Sequence, residues 1–342
     1  GRWFSWGIEI AVGAAAVAAV VVGLSFGGDM PVSKSGGTQA AGIAGESPLV
    51  ETELRALSLD VASVLSLAKE TGMVLVEGES EPTFDGDRAS LRGFEVDTRA
   101  LPFGVLGSEP RVLIIGAAGG HEILASLYFG AREITGVELN SVTISLLTDH
   151  FADYSGRIAH DPRVRLVHGE GRSFVKRDRS RYDLIWFVAP DSYSALNAAS
   201  SGAFVLSESY LYTVEMIMEA LDHLSEAGII CVQFGEVSFD RKPNRTTRYL
   251  ATAREALRRK GIHDFENHVL MSTAPGLFTH ATVLLGAKPF REGEAKRFRR
   301  ANAAIEGSRV LHAGSAGSRN RRHPVNEVIS LGDDALERWH AG

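Results

Sequence analysis

Glycines at positions 116, 119 and 120, followed by a glutamate at 138, have the types and spacing to hold a nucleoside. The run Val112-Leu-Ile-Ile-Gly-Ala-Ala-Gly-Gly-His121 reads as a buried strand broken by a glycine turn that opens a helix. The run Ile134-Thr-Gly-Val-Glu-Leu-Asn140 reads as the next strand, with Glu138, Leu139 and Asn140 at its tip. Glycine lets backbone approach a ligand closely because no Cβ intervenes, and an acid at the second strand's tip can accept from both ribose hydroxyls.

The spacing separates two cofactor classes. A dinucleotide fingerprint counted from Gly116 requires glycines at 118 and 121, where this chain has Ala118 and His121. S-adenosylmethionine has no pyrophosphate and needs only one open glycine turn beside its methionyl end plus the ribose acid, which Gly116, Gly119, Gly120 and Glu138 supply. The competing account is a glycine-rich turn of any doubly wound sheet with Glu138 merely solvated.

The other candidates follow the later strands. His168-Gly-Glu-Gly-Arg172 closes strand three, where Glu170 is placed to accept from an adenine amine and Gly171 to let the ring lie against backbone, with an exposed loop carboxylate as the alternative. Strand four, Tyr182–Phe187, runs into Val188-Ala-Pro-Asp191-Ser-Tyr193, where a reactive carbon would face its acceptor. Asp191 and Tyr193 are the candidate catalytic residues: a carboxylate there can hold an ammonium group or take its proton. A turn-forming Asp after proline fits Asp191 equally well. Glu208, Tyr210 and Tyr212 are candidate pocket walls, Gln233 ends strand five, and His121 is read as a capping or packing residue. No zinc-type Cys/His spacing occurs, so no metal is expected. Cys231, the one cysteine, sits in the apolar run Ile229–Val232 and reads as a buried strand residue.

These positions need a sheet to hold them. Apolar runs at 112–115, 133–137, 163–168, 182–187 and 228–234 alternate with helical patterns at 120–129, 141–153, 207–225 and 245–260, which predicts a parallel sheet covered on both faces. In the third helix Leu211, Val214, Met218 and Leu221 make the inward stripe. The segments 267–272 and 280–286, separated by Thr-Ala-Pro-Gly, predict a closing antiparallel pair. The fold class is therefore α/β: a doubly wound, mostly parallel, Rossmann-like methyltransferase-type sheet ending in an antiparallel pair.

The chain has 342 residues, 44% of them hydrophobic, enough for one large domain or two modest ones. Its net charge of -6 argues against a broad nucleic-acid face while favouring cationic partners. Ile10–Gly28 is free of charge and 19 residues long, which predicts a transmembrane helix with the catalytic domain facing the cytoplasm; a signal peptide is the rival. The expected organisation is a transmembrane helix within 1–28, a linker over 29–50, a helix (49–71) and a small β-rich lead-in up to 110, the main domain over 111–290, and a C-terminal extension over 291–342, mobile near Gly307–Arg322.

In order along the chain, Arg111-Val-Leu-Ile-Ile-Gly, Gly136-Val-Glu-Leu-Asn, Asp161-Pro-Arg-Val-Arg-Leu-Val, Gly169-Glu-Gly-Arg-Ser-Phe, Tyr182-Asp-Leu-Ile, Gly202–Glu215 and Ala256-Leu-Arg-Arg-Lys-Gly261 resemble the spermidine synthase family, and more closely its bacterial membrane-anchored relatives. The resemblance spans about residues 84 to 290. It implies ribose binding by Glu138, adenine binding by Glu170 and an acceptor side formed by 188–215. One position departs: soluble members place an acid directly after strand four and another three residues later, whereas here Val188 precedes Asp191.

The expected function is a membrane-tethered transferase that uses S-adenosylmethionine or its decarboxylated form and moves an aminopropyl group to an amine. The alternatives are a methyltransferase acting on a small or lipid-proximal acceptor, and a sensor domain that binds the nucleoside without turnover. A second copy of the chain, as a homodimer, is a further candidate partner.

Overall fold

The computed structural model describes residues 23–25, 74–76, 88–117, 119–150, 152–153, 155–188, 210–276, 279–314 and 323–331. An eight-stranded sheet organises most of them. Five parallel strands, β3 (Arg111–Ile115), β4 (Glu133–Glu138), β5 (Val164–His168), β6 (Tyr182–Phe187) and β7 (Leu224–Glu236), lie in the order β7-β6-β3-β4-β5. Antiparallel β9 (Thr279–Gly286), β8 (Val269–Ala274) and β10 (Arg309–Ala313) extend the β7 edge. The chain order reverses between β3 and β6, and in an open sheet of this kind ligands settle beyond the carboxyl ends of the strands at that reversal.

Alternation along the central strands feeds two cores. Leu113, Ile115, Ile185, Phe187, Ile230 and Val232 face one layer, formed by α5 (Val214–Asp222), α6 (Asn244–Arg259) and α8 (Pro324–Ser330). Val112, Ile114, Leu184, Trp186, Ile229 and Cys231 face the other, which includes α1 (Ala100–Val105), α2 (His121–Tyr128) and α7 (Glu292–Ala303). Full burial of an Ile or Leu stabilises by about 1.5–3 kcal/mol, so strands covered on both faces read as the continuous apolar runs seen here.

The five parallel strands, the pair β8/β9 and the helices α2 and α6 match the expectation. Several elements do not. The helix expected over 207–225 is Val214–Asp222, begun by Thr213, whose Oγ1 accepts the Met216 N–H at 3.2 Å, and it ends early because β7 already starts at Leu224. The helix expected over 141–153 is α3 (Ser141–Ser145), which widens into a π turn over Leu146–His150. An unexpected helix, α4 (Gly171–Arg177), connects β5 to β6.

The lead-in expected to be β-rich is helical over its described C-terminal part. A 3-10 segment covers Arg88–Val96 and α1 follows, because Leu101 and Val105, four apart, pack inward and Phe103 stacks on Phe129 at 4.7 Å. The C-terminal extension carries α7, β10 and α8; β10 (Arg309–Ala313) falls within the stretch expected to be mobile, because it finds an unfilled ladder on β8, and α7 packs on α1.

The helix expected over 49–71 lies outside the described residues. Of the transmembrane run Ile10–Gly28, only Gly23–Ser25 (β1) is described, and it is a strand paired antiparallel with β2 (Val74–Val76). That corrects the expected continuous helix at those residues: the glycine at 23 disfavours helix, and the extended backbone finds its hydrogen bonds in the Val-Leu-Val partner. Among the described residues no helix is long and apolar enough to cross a membrane.

Candidate functional site

The edge beyond β3, β4 and β5 is built by glycines whose reasons are local. Gly116 takes φ 83°, which turns the chain so that its N–H and that of Ala117 both donate to the Val137 carbonyl, at 2.9 and 3.2 Å. Gly120 takes φ 89° as the N-cap of α2, and a Cβ there would lie 2.3 Å from Ile158 Cδ1. The turn therefore lies tight against β4, with the start of α2 over the sheet edge. A glycine cap has no side chain to accept from the first-turn N–H groups, and the positive end of the helix dipole faces the same edge.

Glu138 is the last residue of β4 and is half-buried. Its Oε1 accepts the Asn140 N–H at 2.8 Å, a two-residue loop that fixes the carboxylate at the strand tip. The tip is braced from β5: Gly169 N–H donates to the Glu138 carbonyl at 3.0 Å, and His168 Nε2 lies 3.1 Å from the Leu139 carbonyl. Leu139 is 49% exposed, one of few large apolar side chains so open among the described residues. An acid and an open apolar surface side by side suit a ribose with its base.

Glu170 has a structural task that the sequence reading did not assign. It caps α4, accepting from the N–H groups of Arg172 and Ser173, each at 2.7 Å, one per carboxylate oxygen. Each oxygen keeps a second lone pair for a further donor such as an exocyclic amine. Gly171 also has a packing reason: a Cβ would lie 2.4 Å from Ile115 Cγ2 and 3.5 Å from Leu211 Cδ2. A methyl group of Ile115, rather than a ring, fills the space on that side.

Asp191, Tyr193 and Glu208 lie outside the described residues. Val188, the last described residue after β6, donates its N–H to the Ile115 carbonyl at 3.1 Å and packs in the Trp186 core. Tyr212 forms an aromatic group with Phe234 and Tyr249, their ring centroids 5.5–6.3 Å apart. Gln233 Nε2 donates to Thr282 Oγ1 at 3.1 Å, which makes it a satisfied strand amide. Cys231 is fully buried, and burial reinforced by the Glu122 charge pushes its thiol up, which leaves it protonated and unreactive. Among the described residues no group of three or more His, Cys, Asp or Glu side chains is arranged to hold a metal ion.

The structure adds a charged group that went unread in the sequence. Glu122, in the first turn of α2, is 2% exposed and pairs through Oε1 with Arg99 Nε at 2.8 Å. Arg99 also meets Asp97, whose Oδ1 accepts the Arg99 backbone N–H at 2.8 Å. His280, near the start of β9, is close enough to Arg99 and Asp97 to feel both, and burial with the Arg99 charge pushes its imidazole down. The available signal was an acid at the second position of a helix whose neighbours Ile123, Ala125 and Leu127 are core residues.

Residues 100–256 match the family described as spermine/spermidine synthase domain. A polyamine aminopropyltransferase of Korarchaeum cryptofilum is 32% identical over 88 residues, covering 26% of this chain and 27% of that protein. One of Buchnera aphidicola is 30% identical over 137 residues, covering 40% and 43%. The chain thus spans less than half the length of these curated relatives. A crystal structure of spermidine synthase in complex with the transition state analogue AdoDATO is 14% identical at a TM-score of 0.43, covering 71% of this chain and 73% of that one.

Proposed function

We propose that this chain, which carries a spermine/spermidine synthase family domain over residues 100–256, is a transferase that moves an aminopropyl group from decarboxylated S-adenosylmethionine to an amine. The observation that carries the reading is the Glu138 carboxylate, held at the β4 tip by the Asn140 N–H beside exposed Leu139 and across from the Gly116–Gly120 turn.

The residues present fit such a donor. Glu138 accepts from the ribose hydroxyls, Leu139 covers one face of the base, and Glu170, already fixed by two backbone N–H groups, receives the adenine amine. A bound sulfonium supplies a carbon activated toward an amine and a neutral thioether as leaving group. The chain's contribution is alignment, together with a site of low polarity that favours the loss of charge at sulfur. Asp191 takes the ammonium proton from the attacking amine, with Tyr193 beside it in the chain.

A methyltransferase acting on a small or lipid-proximal acceptor is the second reading, favoured by Val188: the residue directly after β6 is apolar and packs into the core, leaving one acid fewer for a diamine. Membrane attachment of the amino-terminal region rests on the charge-free composition of residues 10–28, and the strand at Gly23–Ser25 weighs against one continuous helix through that run. Recovery of the intact protein in the soluble fraction of lysed cells would remove it.

Calorimetry with decarboxylated S-adenosylmethionine, S-adenosylmethionine and methylthioadenosine tests the assignment. Tighter binding of the decarboxylated donor, and a secondary amine product from a diamine, are expected. Tighter binding of S-adenosylmethionine, with methyl transfer, would establish the second reading.

A further inference from the structure

Asp97, Arg99 and Glu122 form a group with two acids against one base, hence one formal negative charge in excess. It is partly sunk: side-chain exposure is 22% for Asp97, 21% for Arg99 and 3% for Glu122. A buried charge in excess of its partner is costly unless something cationic meets it. His280, the neighbour on β9, has its imidazole pushed toward the neutral form by burial and by Arg99.

The unbalanced charge has a definite place. Arg99 occupies Oε1 of Glu122, while Oε2 is buried with no hydrogen-bond donor among the described residues. A carboxylate oxygen left bare inside a protein forfeits its hydration, so native structures supply it with a partner or keep it for a ligand. Glu122 stands two residues after the left-handed Gly120, in the first turn of α2. The group is near enough to Cys231 of β7 and His280 of β9 for Glu122 to act on the thiol and Arg99 on the imidazole.

We propose that Glu122 Oε2 is the anchor for a primary ammonium group of the substrates, with Asp97 and Arg99 orienting the carboxylate. The proposal rests on the nucleoside reading of the neighbouring turn. Two substrates carry that chemistry: the diamine acceptor, and the aminopropyl end of decarboxylated S-adenosylmethionine. Methylthioadenosine has the nucleoside and lacks the ammonium. An ammonium donating to Oε2 satisfies the bare oxygen and cancels the excess charge in one contact.

The test measures dissociation constants of putrescine, decarboxylated S-adenosylmethionine and methylthioadenosine for the full chain and for Glu122→Gln, which retains an acceptor for Arg99. A loss of tenfold or more for putrescine places the acceptor amine on Glu122. The same loss for the decarboxylated donor places the aminopropyl end there. In either case methylthioadenosine binds unchanged. If both ammonium ligands bind the variant as tightly as the parent, the proposal is overturned while the nucleoside reading stands. Failure of methylthioadenosine to bind the parent would instead strike the nucleoside reading, because putrescine is read separately. Should Glu122→Gln not fold, Asp97→Asn removes the excess charge from outside the pair: a severalfold weaker putrescine or donor constant supports the anchor, and constants that stay the same refute it.

Discussion

The Glu138 Oε1 accepts the backbone N–H of Asn140 at 2.8 Å, so the acid at the second strand's tip is oriented by its own chain before any ligand arrives. A carboxylate fixed in this way loses little rotamer freedom on binding, which converts more of each ligand contact into affinity.

Glu170 is expected to carry two duties that substitution can divide. Glu170→Ala should cost about 1 kcal/mol of stability through loss of the α4 cap, whereas Glu170→Asp retains a good capping side chain. Chemical denaturation of both variants measures the cap. If Asp restores stability but adenine-containing ligands still bind several times more weakly, the longer carboxylate reaches the base. Parent-like affinity in Glu170→Ala would leave it a cap alone.

Gly120→Ala should destabilise by about 1–3 kcal/mol, since a left-handed residue acquires a Cβ that would meet Ile158 Cδ1 at 2.3 Å. Thermal melting reads the loss. A variant that melts with the parent would show that the turn relaxes without strain.

Stability should fall as the medium is acidified below about pH 6.5. Burial lowers the folded-state pKa of His280 and of His312 below the ordinary 6.5, so the unfolded chain binds more protons in that window. The stabilisation from keeping both rings neutral is complete above 6.5 and is lost as pH falls toward the folded values. Melting curves from pH 7.5 to 5 check this, and replacing both residues by Asn should flatten the slope. An unchanged slope would assign it to other groups.

Asp191→Asn should leave methylthioadenosine affinity close to that of the parent and lower turnover with a diamine, if Asp191 takes the ammonium proton. Steady-state kinetics decide it, and full activity would return Asp191 to a turn role.

What was legible in the sequence, and what was not, follows from where the determinants lie. Val112–Ile115 and Leu184–Phe187 announce buried strands because both faces are covered and no polar residue interrupts them. The glycine turn and Glu138 sit at the ends of such runs, so strand order alone brings them to one edge. Helix α4 escaped notice because it opens with Gly171, a poor helix former kept there by Ile115 across the sheet, and because its cap is Glu170 rather than a common capping residue. The Arg99–Glu122 pair joins positions 23 residues apart with no local pattern, so only the packing of α1 beside α2 reveals it. Strand β10 likewise depends on a partner, β8, that sequence periodicity cannot show to be vacant along one edge.

The central claim is that Glu138 holds the sugar of an adenosyl ligand, and titration calorimetry of methylthioadenosine into the parent and Glu138→Ala tests it most directly. Loss of charge-assisted bonds to the ribose should weaken binding by about 1–3 kcal/mol, roughly 5- to 150-fold, with the melting temperature of the unliganded chain nearly unchanged. Equal dissociation constants for the two proteins would contradict the account.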